Sequence, residues 1–308
     1  MKVKASKNLT DGRIGSFRLL WVFCFIFYSS LAHSGTFPDI GYTPPVDWTG
    51  PIFQLSQDYP TSLPPAESYP WEQIDFRQKP QGYMSAVLVY CLEGNIEVGF
   101  IVQNNQIRKW YHAPWLHVGP NAREFVHGLT TERSSRPYEL SATQSTGFRN
   151  FAVGFYNPPG GYTIGSVWAD PTNPNYTSVN FPEGTVSFKL LFTTATSNVV
   201  SSLTGAPEWL ADINKSPSAA DITNMVSLLQ VDIAVKDSRS ACGGWVFGTF
   251  QFDSSSPETN AWKKLVPVTL TWGNDPTLTP DEYNSGQRAV ECWVNPSAPV
   301  VAYRSRAC

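Results

Sequence analysis

The run VSLLQVDIAVKD (226–237) constrains the fold more than any other stretch of the chain. Leu229, Val231, Ile233 and Val235 alternate with Gln230, Asp232, Ala234 and Lys236, and a period of two places the aliphatic set on one buried face of a strand. Five further runs have the same character: FAVGFYN (151–157), YTIGSVWAD (162–170), GTVSFKLLFTTA (184–195), GWVFGTFQFD (244–253) and LVPVTLTWGND (265–275). Clusters of Pro, Gly, Asn and Asp separate them, as turns separate strands. With no long helix between these runs, the sequence predicts a mainly β fold, an antiparallel β-sandwich or barrel-like domain with a few short helices and long loops. Only 15% of residues are charged, while 14% are aromatic and 25 are proline, which suits strands and loops better than helices.

The organisation reads in three parts: a signal peptide over 1–34, an extended arm rich in proline and aromatics over 35–80, and a β-rich domain over 81–308. Lys2, Lys4, Lys7, Arg13 and Arg18 precede the apolar run LLWVFCFIFY (19–28), and the small-residue stretch SSLAHSG follows it. Ser30 with Ala32, or Ala32 with Ser34, suits a cleavage site. An uncleaved anchor is the alternative. The apolar run is short for a bilayer span, so no stable membrane span is expected after cleavage, and the location is periplasmic or extracellular. Within the domain, PQGYMSAVLVYCLEG (80–94) reads as a short helix with a glycine stop, NAREFVHGL (121–129) as about two helical turns, and PEWLADIN (207–214) as another short helix. NPPGGYT (157–163) reads as a turn between two strands.

Export changes the meaning of Cys91, Cys242, Cys292 and Cys308. An even number of thiols in an oxidising compartment suggests one or two structural disulfides, and all three pairings stay open. None has a neighbour at Cys-x-x-Cys spacing, which disfavours a redox motif or a four-cysteine zinc site. The formal charge of -3 and the lack of a Lys/Arg stripe argue against nucleic acid as a partner.

KWYHAPWLHVGPNAREFVHGLTTER (109–133) holds His112, His117 and His127 at H-x4-H-x9-H spacing. Neutral imidazoles are good ligands for zinc, copper, nickel or iron, so these three are the candidate metal ligands. Pro114 prevents helical presentation of the first two, and each ring can equally serve by bonding loop backbone. Arg123, Glu124, Glu132 and Arg133 flank His127. A carboxylate there can orient an imidazole by accepting its second N–H, or the four can lock the loop through ion pairs. Catalytic residues are not identifiable, since no serine elbow or phosphate loop is present. The remaining histidine, His33, becomes the amino terminus if cleavage follows Ala32, an arrangement that can grip copper.

The segments RKWYHAPWLHVGPNAREFVHGLTTERSSRPYEL, FAVGFYNPPGGYTIGSVWADP, FPEGTVSFKLLFT, LLQVDIAVKDSRS, GWVFGTFQFD and LVPVTLTWGNDP together resemble a family of exported bacterial proteins labelled cytochrome c-like. The resemblance implies a periplasmic redox or haem-associated role with a redox partner. It also implies that longer relatives continue past the match to ECWVNPSAP into a Cys-x-x-Cys-His haem-attachment motif. This chain ends VVAYRSRAC, so Cys308 has no second thiol at that spacing and no following histidine. Covalent haem is therefore not expected here.

A second reading is a secreted carbohydrate-binding or carbohydrate-active protein with a glycan as partner. Trp110, Trp115, Trp168, Trp245 and Trp272 with Tyr111, Tyr156 and Tyr162 could stack on sugar rings, although core packing is the ordinary fate of each. Asp170, Glu183, Asp232, Asp253 and Asp275 could supply a carboxylate pair, a role their separation would decide.

Overall fold

The computed structural model describes residues 44–113, 123–177, 179–213, 223–241 and 243–298. The signal-peptide reading, His33, His117, Trp115, Cys242 and Cys308 lie outside them. Residues Ser34–Cys308 form one compact unit, to which all that follows belongs.

Strands β1 (Tyr111–His112), β2 (Thr130–Ser135), β3 (Phe148–Tyr156), β4 (Val186–Thr193), β5 (Glu208–Asp212), β6 (Thr223–Lys236), β7 (Trp245–Phe252), β8 (Leu265–Thr271) and β9 (Cys292–Val294) make one nine-stranded antiparallel sheet. Its path runs β1-β3-β4-β6-β7-β8-β9, with β2 also on β3 and β5 on β6. The register explains the alternation read in the sequence. Phe155, Phe188, Ile233, Gly248 and Leu270 stand opposite one another across five strands. Phe155, Phe188, Ile233 and Leu270 are all buried, as are Val153, Leu190, Val231 and Phe250 in the next inward row. The rows between face the other way and carry Lys189, Asp232 and Thr249. The fold is thus mainly β and antiparallel, as expected.

Among the described residues no second sheet covers the inward face. Helix α1 (Pro80–Leu92) and the arm before it do, giving a sandwich-like body. Tyr83, Met84, Val87, Leu88, Tyr90, Cys91 and Leu92 of α1 are buried, and the helix is apolar nearly all round, as a helix with neighbours on several sides should be. From the arm, Tyr69, Trp71 and Phe76 enter the same core, with Tyr69 stacked on Trp71 and Trp71 edge-on to Tyr90. Gly248 permits the close seating of α1: a Cβ there would lie 3.0 Å from Ile233 Cγ1 and 3.1 Å from Met84 Cε.

Four local expectations are overturned. YTIGSVWAD is not a strand, and NPPGGYT is not a turn between strands. Both lie largely in helix α2 (Pro158–Val167), whose N-cap Asn157 accepts from the Gly160 N–H, with proline in the first turn. The buried Asn157 side chain also donates to the Gly184 carbonyl and accepts from the Val186 N–H, fastening the helix start to β4. Gly161 lets the helix lie against β1, since a Cβ there would meet the Tyr111 ring at 2.4 Å. Within PEWLADIN, Glu208–Asp212 form strand β5 rather than helix, because pairing with β6 turns Trp209 and Ala211 inward and leaves Glu208 and Leu210 exposed. The described part of NAREFVHGL forms turns, for a reason given below. The third helix, α3 (Pro280–Asn284), begins with a capping box between Thr279 and Glu282. No helix among the described residues is long and apolar enough to cross a membrane.

Cys91 is a free, buried thiol, which removes the two-disulfide reading. Burial pushes this thiol far above its ordinary range. Cys292 is disulfide-bonded. Cys292 stands opposite Thr271, and Ala241 donates its N–H to the carbonyl of Trp272, the residue after Thr271. Non-reducing peptide mapping should therefore join Cys292 to Cys242, with Cys91 unreactive to alkylating reagents until the chain unfolds; a Cys292–Cys308 peptide would contradict this. Gly248→Val should cost about 1–3 kcal/mol in urea unfolding through overpacking against Met84 and Ile233.

Candidate functional site

The histidine segment is shared among separate tasks. His112 is 1% exposed on β1, opposite Phe155. Its Nδ1 accepts the Ser56 N–H at 2.8 Å, its own N–H donates to the Ser56 carbonyl at 2.9 Å, and its carbonyl accepts the Tyr59 hydroxyl at 2.5 Å. Phe53 and Phe155 lie against the ring at 5.0 and 5.1 Å. These contacts sew the arm to the sheet edge.

His127 lies in the turn before β2, with its ring stacked flat on Trp209 at 4.4 Å and 7°. The imidazole hydrogen-bonds the Leu210 backbone, leaving Nδ1 buried without a hydrogen-bond partner among the described residues. Burial pushes its pKa down to about 4, partly offset by the Leu210 bond.

For Glu124, 1% exposed, the sequence leaves two roles open, orienting an imidazole or locking the loop through an ion pair. The residue does something else: its carboxylate accepts the backbone N–H groups of Val126 at 2.7 Å, Leu129 at 3.1 Å, Asp212 at 3.3 Å and, in close contact, His127. A carboxylate that takes these amides gathers the segment into a turn, which is why it is not helical. Burial raises the Glu124 pKa, opposed by those four bonds. Arg123 is fully buried, its guanidinium 5.9 Å from the Phe53 ring centroid.

Glu132 and Arg133 are neighbours on β2 and part company. Glu132 reaches Lys189 at 3.7 Å on the outward face, where Asp232 also meets Lys189, at 3.2 Å. Arg133 makes a two-pronged pair with Glu139, at 3.0 and 2.5 Å. Of the candidate residues, then, Arg123, Glu124 and His127 share one turn, while His112, Glu132 and Arg133 serve other contacts. Among the described residues no three His, Cys, Asp or Glu side chains are grouped to hold a metal ion.

A concave site lies elsewhere among the described residues. A cleft of about 670 Å³ opens between three loops, lined by Tyr138 to Ala142, Val200 to Ser202, and Asp253 to Ser255. That volume lies within the range of small-ligand pockets. Buried Gln144 shapes the first wall: its side-chain amide donates to the Arg136 carbonyl at 2.9 Å, its Oε1 accepts the Leu140 N–H at 2.9 Å, and its carbonyl accepts the Tyr138 N–H at 2.7 Å. Tyr138 is held at φ 63°, a left-handed conformation unusual for a bulky residue, with its side chain 60% exposed. The other two walls are joined by the Ser254 N–H donating to the Ser202 carbonyl at 3.0 Å. Asp253, 8% exposed, accepts the Ser255 N–H at 2.9 Å and the Ser255 hydroxyl at 2.7 Å. Burial alone would raise the Glu139 carboxyl, but the Arg133 hydrogen bonds, the Arg136 N–H and both guanidinium charges hold it below its ordinary range.

Apart from Asp253, the sequence did not point to these residues, because three polar linkers far apart in the chain converge here. The aromatic candidates fall mostly inside: Trp110, Tyr111 and Trp272 are buried, and Trp168, Tyr162, Trp245 and Tyr156 are half-buried. Of the candidate carboxylates, Asp170 and Asp275 tie turns, Glu183 accepts the Ser238 N–H and Asp232 pairs with Lys189, so only Asp253 stands in the cleft. The chain matches no family model, no curated protein and no solved structure.

The folded state, with His127 depressed to about 4 against an ordinary 6.5, binds fewer protons than the unfolded chain between those values. His127 therefore withdraws stability as pH falls through that window and withdraws no more below it. Urea midpoints measured across the window should fall with pH more steeply in wild type than in His127→Gln, which keeps a donor for Leu210; parallel slopes would contradict the buried neutral imidazole.

Proposed function

We propose that this protein is an exported saccharide-binding protein and that the serine-lined cleft is its binding site. The observation that carries the reading is the exposed Tyr138, held in a strained backbone conformation at a cleft lined also by Ser141, Ser201, Ser202, Ser254 and Ser255. Sugar rings present an apolar C–H face and a rim of hydroxyls. An aromatic face takes the first, and short hydroxyl and carbonyl groups on fixed loops take the second. Serine is suited to the second role, since its hydroxyl both donates and accepts. Leu140, Ala142 and Val200 supply apolar lining beside the serines. Export is supported by the leader-like amino-terminal sequence and by the disulfide at Cys292.

The redox reading that the cytochrome c-like resemblance implies finds less support. An axial haem ligand needs a ring nitrogen free to face the iron. His112 Nδ1 is occupied by the Ser56 N–H in a ring boxed by phenylalanines, and His127 is stacked on Trp209 with its remaining nitrogen buried. Both rings are packed against aromatic side chains and hold structural contacts.

Screening the purified protein on an array of neutral, acidic and amino-substituted glycans, followed by calorimetry, tests the proposal. Tyr138→Ala should weaken binding about tenfold while leaving the melting temperature within a few degrees, because the ring is exposed and stacking of this kind contributes about 0.5–1.5 kcal/mol. An absence of glycan binding, or binding untouched by Tyr138→Ala and Ser202→Ala together, would overturn it.

A further inference from the structure

The charge within the cleft narrows the class of saccharide, on the premise that the cleft binds one. Two carboxylates line it and no lysine or arginine does. Glu139 has its charge met by the two-pronged contact with Arg133. Asp253 does not. Its oxygens accept from the Ser255 N–H and hydroxyl, one bond each, and it makes no ion pair among the described residues. Lys264 accepts the Asp253 N–H on its backbone carbonyl, yet its ammonium is directed at the Ser254 carbonyl, 3.2 Å away. Lining the cleft on a residue 8% exposed, with acceptor capacity left on both oxygens and no paired cation among the described residues, the Asp253 carboxylate is placed to receive a cation from a ligand.

We infer that the cleft selects an amino sugar with a free ammonium group, such as a glucosamine oligomer, over its N-acetylated counterpart. The ammonium donates to the Asp253 carboxylate and to the serine oxygens beside it. The Tyr138 ring receives the C–H face of the sugar and adds attraction for the positive charge. Acetylation removes the charge and leaves Asp253 facing a neutral group. An acidic sugar would place like charges together in a cleft with no basic lining residue.

Calorimetry with a glucosamine tetramer and its fully N-acetylated counterpart, at mildly acidic pH where the sugar amine is protonated, tests this. The free-amine ligand should bind about tenfold more tightly, as a charge-assisted bond exceeds a neutral one. Asp253→Asn, which can still accept from Ser255, should reduce the preference to about twofold or less without weakening the N-acetylated ligand. Salt gives a second readout on the unaltered protein, since raising ionic strength should weaken the free-amine complex alone. Equal affinities, a preference that survives Asp253→Asn, or salt-insensitive binding of the free amine would overturn the amino-sugar inference and leave the saccharide reading standing. Failure to bind any glycan would overturn both.

Discussion

Contact between the inward face of the sheet and the α1 layer is the constraint on which the rest of this structure depends. Five strands place Phe155, Phe188, Ile233, Gly248 and Leu270 in one transverse row, and the missing side chain at Gly248 leaves room for Met84. A single sheet has two faces, and one must be taken from water for the domain to be stable. Here the cover is α1 together with Tyr69, Trp71 and Phe76 of the arm. The arm is thus a structural wall, and the density of aromatics in a segment with many prolines follows from that task. Fully buried aromatic rings supply the area that a second sheet would otherwise provide.

How legible this was depends on whether local pattern and tertiary role agree. Strands β3, β4, β6, β7 and β8 were readable because one face is buried and the other is wet, so period-two alternation survives into the sequence. Strand β2, with Thr130, Glu132 and Arg133, has no apolar run to announce it, and β1 is only two residues long. Helix α2 was misread because Ile164 and Val167 suggest a strand, while its actual signal, Asn157 followed by two prolines, also spells a turn. Strand β5 was misread because WLAD has good helix formers and only the partner strand β6 settles the matter. The turn around His127 was unreadable for another reason. A helix satisfies its amides internally, whereas here the Glu124 carboxylate takes them, including one from Asp212, 88 positions away.

The candidate site shows the same limit more sharply. A cluster of histidines in sequence draws attention because imidazole is scarce and chemically versatile, yet proximity along the chain says little about proximity of rings. His112 anchors the arm, and His127 packs on Trp209. The cleft is built from residues with little distinction in sequence, five of its eleven lining residues being serines in linkers, and becomes visible only when sheet topology brings the end of β7 beside the loops that follow β2 and β4. Hydrogen bonds to Gln144 and between Ser254 and Ser202 hold those loops, so the scaffold shapes the cleft.

Amide chemical shifts followed during titration with a bound glycan locate the site most directly. The account predicts progressive shifts at Tyr138, Ser201, Ser202, Ser254 and Ser255, with the amides of Val126, His127 and Trp209 unmoved. Shifts concentrated around His127 and Trp209, with the serine loops silent, would contradict it.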